Sequence, residues 1–301
     1  MSGSAAVRMP PAPAPLTAVS ADADSIDDSA FDDATRRALD WLRSPRRKLS
    51  ALPAAVADLM AVANSREANF REVDRVVRAC PVVAARVLSV ANSPLYRPPA
   101  PITSLRMALM RLGWGILREI LLQAIAEAHL FRGGARRQLN ATRQHSIAIA
   151  HVHRHVAQVI GFDTEHAFAC GLLHDIGRPT MLAMLLDPVA PTLSPEQQQT
   201  LVDAGHGWFG ARLCGMWHLP EVVSRVCLEH HRYEVDDDNG ISQAGVSTVA
   251  ICEALVCADG FASEPAPTPE QAERLLARLG LPPHELASLR STALLICQEA
   301  G

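Results

Sequence analysis

From Phe31 onward, the apolar residues of this chain recur three and four apart, in runs of ten to twenty residues closed by proline or glycine. That spacing gathers side chains on one face of a 3.6-residue helix. No stretch of useful length alternates apolar with polar as a half-buried strand would. The pattern predicts an all-α protein. Composition points the same way, since Ala, Leu and Val dominate and aromatics are only 4%, a mixture that favours helix over strand. Apolar residues make up 49% of the 301 positions, enough for one large or two modest cores without disulfides or a structural metal.

Punctuation divides the chain. Residues 1–30 hold Pro10, Pro11, Pro13 and Pro15, then Asp22, Asp24, Asp27 and Asp28, and with so little to bury they read as a disordered tail. A first helical block spans 31–135. Leu52-Pro53 opens one helix ending near Asn64, a second runs over about 69–79, and Pro81 starts a third that stops at Asn92-Ser93-Pro94, proline being suited to the first helical position. A proline-rich loop from Pro94 to Pro101 follows, then helices over 103–112 and 114–130 either side of Gly113. Gly133-Gly134 marks the boundary to a second block, 136–301, with helices over 138–160, 163–176, 178–187, 195–204, 206–217, 220–232, 242–259, 268–279 and 283–299.

The formal net charge of -4 supplies no basic excess that would announce a nucleic-acid or membrane-surface binder. Seven cysteines, scattered and with no Cys-x-x-Cys pair, read as reduced core residues. No apolar run approaches the ~20 residues of a membrane span, and the N-terminus lacks an apolar secretory core. A cytoplasmic protein is expected.

Eleven of the twelve histidines lie in the second block, and the helical period sorts them. Ile149, Val152, Val156, Val159 and Ile160 all fall within about 60° of His145, so His145 points into the core. His151 and His155, four apart, fall on the flank and read as a rim pair. Phe168 and Leu172 put Asp175 on an apolar face, and Cys252, Leu255 and Val256 do the same for Asp259. His206 shares a face with Phe209, Gly210, Leu213 and Trp217, while His230 and His231 align with Val223, Val226, Cys227 and Leu228. A buried carboxylate without a partner costs several kcal/mol. Convergence of the set on a cation removes that cost, and imidazole with carboxylate suits Fe, Mn, Zn or Ni. One or two ions are expected, held by His145, His174, Asp175, His206, His230, His231 and Asp259.

His145, then His174-Asp175, then Asp259 resembles the H…HD…D signature of the HD phosphohydrolase superfamily, whose four residues bind a divalent metal that activates water. His206 and His230-His231 resemble the longer ligand set of the HD-GYP phosphodiesterases of cyclic-di-GMP. The chain departs from those enzymes in reading Arg232-Tyr233-Glu234 after His231, with no Gly-Tyr-Pro, and in carrying Arg178 where a lysine is usual. Over about 45–260, and most specifically in Arg86-Val-Leu-Ser-Val-Ala-Asn-Ser93 leading to Ile102-Thr-Ser-Leu105, the sequence resembles the HDOD family, the HD-related output domain of bacterial signalling. That resemblance implies an N-terminal helical bundle packed on an HD-like bundle and a regulatory role.

Three functions follow. The expected one is a bacterial signal-transduction module that acts through unidentified signalling proteins, with a divalent metal retained in its HD-like half. The Pro94–Pro101 loop is a candidate contact site. The alternative is a metal-dependent phosphohydrolase acting on a nucleotide or cyclic dinucleotide, with Asp175 bridging metals and Arg178 holding a substrate phosphate. Nucleic-acid binding is the least expected. Arg132, Arg136, Arg137, Arg143 and Arg154 stand without an acidic residue between Phe131 and Phe162, but no aromatic residues interleave with them.

Overall fold

The computed structural model describes residue 26, residues 28–44, residue 62 and residues 70–78, 81–93, 102–126, 136–161, 164–217, 219–231, 240–257, 267–278 and 282–300. Among them every regular element is helical: α1 (Asp33–Arg43), α2 (Phe70–Arg78), α3 (Pro81–Ala91), α4 (Leu105–Ile125), α5 (Arg136–Ile160), α6 (Thr164–Leu173), α7 (Gly177–Leu185), α8 (Pro195–Met216), α9 (Glu221–Glu229), α10 (Gly240–Cys257), α11 (Pro269–Arg278) and α12 (Pro283–Ala300). None of the described helices is long and apolar enough to cross a membrane. The all-α expectation holds. Most of residues 1–30, nearly all of the helix expected from Leu52, the Pro94–Pro101 loop and the Gly133-Gly134 boundary lie outside the described residues. Ile26, which composition put in the tail, is buried in the core.

Local chemistry explains several boundaries. Asp32 caps α1 by accepting the Thr35 N–H at 2.8 Å, the bond that does most to hold its carboxyl down at about 2. Ser194 and Gln197 form a capping box at the start of α8. The Gln197 amide also donates to Asp32 at 2.5 Å, which ties the start of α1 to the start of α8. Asn92 ends α3 with its side chain: Nδ2 donates to the carbonyls of Leu88 and Ile102, and Oδ1 accepts the Ile102 N–H, all at 2.8 Å. One amide thus joins the two ends of the segment from Ser93 to Pro101, giving the Ala-Asn-Ser and Ile-Thr-Ser stretches a physical reason to occur together.

Of two expected breaks, one is found and one is not. Gly113 adopts φ 74° and ψ 170°, a region open to glycine, and divides α4 into the two helices that the sequence suggests. Gly205, expected to separate two helices, sits inside the continuous α8. A Cβ there would lie 2.8 Å from Met181 Cε, the end of a flexible side chain, so this glycine is packed against α7 and makes no turn. α5 runs through the middle of the second block, against α6, α10 and α12, while α8 packs on α7 and α9. Arg154 of α5 pairs with Glu119 of α4 at 2.6 Å, linking that block to the first. Burial raises the Glu119 carboxyl and the arginine opposes it.

Candidate metal centre

Glycines bring the helices close enough for side chains to meet. A Cβ on Gly171 would lie 2.7 Å from Ala150 Cα, and one on Gly177 only 1.8 Å from the His206 carbonyl oxygen. Both positions therefore admit only hydrogen. The first contact seats α6 on α5 and sets His174 beside His145. The second seats the start of α7 on α8 and sets Asp175 beside His206. His174 and Asp175 occupy the turn between α6 and α7, stabilised by the bonds from Ile176 N–H to the Leu173 carbonyl and from Arg178 N–H to the Asp175 carbonyl, both 3.0 Å.

The structure brings six of the seven expected residues together and adds one. Asp175, His206, His230 and His231 offer donor atoms that all lie within 4.8 Å of one another, as do His145, His174 and Glu253. Asp259 lies outside the described residues. The carboxylate beside His145 and His174 is Glu253 of α10, with Oε1 4.0 and 3.4 Å from their Nε2 atoms. Its Oε2 is 3.9 Å from His231 Nδ1. The sequence carried a signal for it, because Glu253 is the sole charged residue between Ile241 and Ala258. Asp175 lies between the two groups, Oδ1 being 3.3 and 3.4 Å from Nε2 of His206 and His230 and Oδ2 3.7 Å from Nε2 of His174.

Backbone carbonyls set the histidine tautomers. The Nδ1–H of His174 donates to the Gly171 carbonyl at 2.8 Å, that of His206 to Val202 at 3.0 Å, and that of His230 to Val226 and Cys227 at 3.1 and 2.9 Å. A carbonyl only accepts, so in the neutral rings each Nε2 is a bare lone pair. His206 Nε2 and His230 Nε2 are nevertheless 3.3 Å apart, both aimed at an anionic oxygen. Two bare nitrogens and Asp175 Oδ1, the oxygen that also accepts from Arg178 Nε, face one point and repel unless a proton or a metal ion stands among them. Holding Nδ1 by a carbonyl so that Nε2 is presented is also how metal-ligating histidines are oriented. Asp175 Oδ2 is buried with no hydrogen-bond partner, an oxygen that a bound metal ion would satisfy. The donor set fits a divalent transition metal.

Electrostatics favours ligand-ready forms. Burial pushes His174 well below its usual value, and burial together with Arg178 takes His206 to about 3. Burial and the neighbouring His230 likewise lower His231. Burial also disfavours the charged form of His230, but the hydrogen bond to Asp175 and the charges of Glu253 and Asp175 raise it overall. Asp175 is pushed up by burial and held well below the carboxylate range by Arg178 and His174. Arg178, itself buried, donates from Nε to Asp175 at 3.0 Å and from a terminal nitrogen to Asp203 at 2.5 Å.

His151 stacks edge-on against Phe168 with ring centroids 5.2 Å apart, and burial, Arg154 and Arg86 lower it to about 4. It does not join the cluster. In the expected basic run, Arg154 pairs with Glu119, while the side chains of Arg132, Arg136 and Arg137 lie outside the described residues.

Solved structures share this fold. A proposed metal-dependent phosphohydrolase from Shewanella amazonensis SB2B superposes with a TM-score of 0.68 at 18% identity, covering 89% of this chain and 98% of that one. An HDOD domain protein of unknown function from Geobacter sulfurreducens gives a TM-score of 0.60 at 21% identity, over 87% and 98% of the two chains. A proposed signal transduction protein from Marinobacter aquaeolei VT8 gives 0.62 at 18% identity, over 95% and 67%. At such identities the likeness is one of fold. No curated protein matches the sequence. The model of the HDOD domain, however, matches residues 49–233, more than half of the 301 residues, and on that ground the chain belongs to the HDOD family.

Proposed function

We propose that this protein is a bacterial signal-transduction regulatory module that works in the cytoplasm through contacts with partner proteins and holds a divalent-metal centre in its HD-like half. The observation that carries the metal is the convergence of the bare Nε2 atoms of His206 and His230 on Asp175 Oδ1 at 3.3–3.4 Å. Asp175, His206, His230 and His231 would hold one ion, and His145, His174 and Glu253 a second, with Fe, Mn, Zn or Ni suited to the set. An ion there would neutralise buried carboxylates and tie five helical segments together. The signalling role is supported by family membership and by a proposed signal transduction protein among the similar folds.

A second reading, a metal-dependent phosphohydrolase, draws on one feature: the two oxygens of Asp175 face different donor groups, as a bridging carboxylate does. Against it, Arg178 already binds Asp175 and Asp203, so a substrate phosphate or nucleotide would have to compete for it.

The test is metal content of tag-free protein by plasma mass spectrometry, beside a His174→Ala, Asp175→Ala variant. About one or two transition-metal ions per chain in the wild type and none in the variant supports the centre. Protein that stays empty after reconstitution with Mn and Fe overturns it. Phosphodiester turnover by the loaded protein would favour the second reading over the first.

A further inference from the structure

α1 is fastened to α8 at both of its ends. At the start the Gln197 amide donates to Asp32 at 2.5 Å, and at the finish the Arg43 guanidinium lies over the Trp208 ring, 5.8 Å from its centre. Arg43 follows Asp32 by eleven residues and Trp208 follows Gln197 by eleven. The two helices therefore run side by side, in the same direction and in register. Between the anchors, Ala38, Leu39 and Leu42 of α1 and Leu201 of α8 are buried, while Asp33, Arg36, Arg37 and Asp40 stay exposed on the outer side of α1.

The face of α8 that α1 covers is opposite the one that carries His206. At about 100° per residue, Leu201 and Trp208 fall within about 40° of Gln197, whereas Val202, His206 and Leu213 fall within about 40° of the opposite direction. On that inner side α8 has no slack. A Cβ on Gly177 would lie 1.8 Å from the His206 carbonyl oxygen, and a Cβ on Gly207 would lie 2.9 Å from the Cys227 carbonyl oxygen. α8 is thus a stiff rod seated on α7 and α9 along one side and covered by α1 along the other. Close-packed contacts transmit displacement along such a rod. α1 also precedes residues 49–233, the stretch that the HDOD model matches.

We infer that α1 is a clamp on α8 that couples the metal centre to the N-terminal part of the chain. Seated, it holds His206 against Asp175. Loosened, it lets α8 move outward and lowers metal affinity. The coupling runs both ways, because an ion that binds the seated state better must favour that state. This rests on the metal centre proposed above and adds a route by which a signal acting on α1 regulates it.

The experiment uses the full chain, stripped of metal and then loaded with Mn(II) or Zn(II). Hydrogen exchange read by mass spectrometry reports the opening of α1, and competition with a chromophoric chelator reports affinity. Loading should slow exchange in α1 at least about fivefold more than in α3, which packs on α4. Asp32→Ala, Arg43→Ala removes both anchors and leaves the buried face of α1 intact, and it should raise the metal Kd at least about fivefold. Arg43→Lys alone keeps a cation over Trp208 and should leave Kd within about twofold.

The inference is overturned if loading slows α1 and α3 alike, which is global stabilisation, or if the double alanine variant, helical by circular dichroism, keeps wild-type affinity. Should that variant not fold, the exchange comparison on the wild type decides by itself. Wild type that takes up neither ion removes the metal centre and the clamp together, whereas wild type that takes up metal with exchange in α1 unchanged removes only the clamp.

Discussion

Replacing Gly177 with alanine puts one methyl group where the structure has no space. The new Cβ would lie 1.8 Å from the His206 carbonyl oxygen, 2.6 Å from its carbon and 2.9 Å from Gly210 N. All three are backbone atoms, so no flexible side chain can give way. Ordinary contact begins near 3.4 Å, and the start of α7 must separate from α8 by about 1.6 Å to reach it. Overpacking typically costs about 1–3 kcal/mol, and a clash with backbone on all sides places this one near 3 kcal/mol or above. For a protein of this size that lowers Tm by roughly 5 °C. The same separation moves His206 away from Asp175, beyond the roughly 0.5 Å that a preorganised site tolerates, so metal affinity should fall at least about tenfold. Gly215→Ala is the control: it lies in α8, the helix that carries His206, with nothing within 4 Å of its added Cβ, and alanine there should be neutral or stabilising by up to ~1 kcal/mol. Calorimetric melting and a competitive metal titration on both variants decide the matter. If Gly177→Ala melts within about 2 °C of Gly215→Ala, the close approach of α7 and α8 is not what positions the site.

Three further outcomes follow from the same geometry. Glu253→Gln should lower metal affinity by about 10–100-fold in a competition assay with little change in helicity, and an unchanged affinity would remove Glu253 from the ligand set. Arg178→Met leaves Asp175 without its nearest cation and should destabilise the metal-stripped protein by about 3 kcal/mol. Added metal should restore more Tm to this variant than to the wild type, because the ion replaces the lost charge, and equal shifts would count against that compensation. His151, held at about 4 by burial first and then by Arg154 and Arg86, stays neutral in the fold while the unfolded chain protonates near the ordinary histidine value of 6.5. The unfolded state thus binds more protons between those values, so stability rises with pH there and is lost on acidification from about 6.5 to 4, by at most ~3 kcal/mol. Denaturant titrations of wild type and His151→Phe across that window should differ in slope by this amount, and parallel profiles would refute it.

Helix positions and inward-facing histidines were legible because they depend on short-range geometry. His145 shares its face with Ile149, Val152 and Val156, and all four are buried. Val159, placed on the same stripe, is 41% exposed, since it nears the end of α5 where the packing partners run out. Gly205 misled for a related reason: a glycine between periodic runs is the usual sign of a turn, and only the structure shows α8 running through it with Met181 packed alongside. Glu253 was passed over because the family signature ends in an aspartate and Asp259 shares a helical face with apolar neighbours. Periodicity alone does not rank two carboxylates six residues apart.

What the sequence determined by itself is the helical content, the punctuation of most helices, the family, and six polar residues that had to face inward, all consequences of interactions between residues three and four apart. Which of those residues meet was decided by tertiary structure. His145, His174, His206 and His230 come from helices far apart in the chain, and their distances depend on how closely α5 meets α6 and α7 meets α8. Those separations rest on the missing Cβ of Gly171 and Gly177. The division of seven donors into two groups around Asp175, and the capture of Arg178 by Asp175 and Asp203, exist only once the backbones have packed.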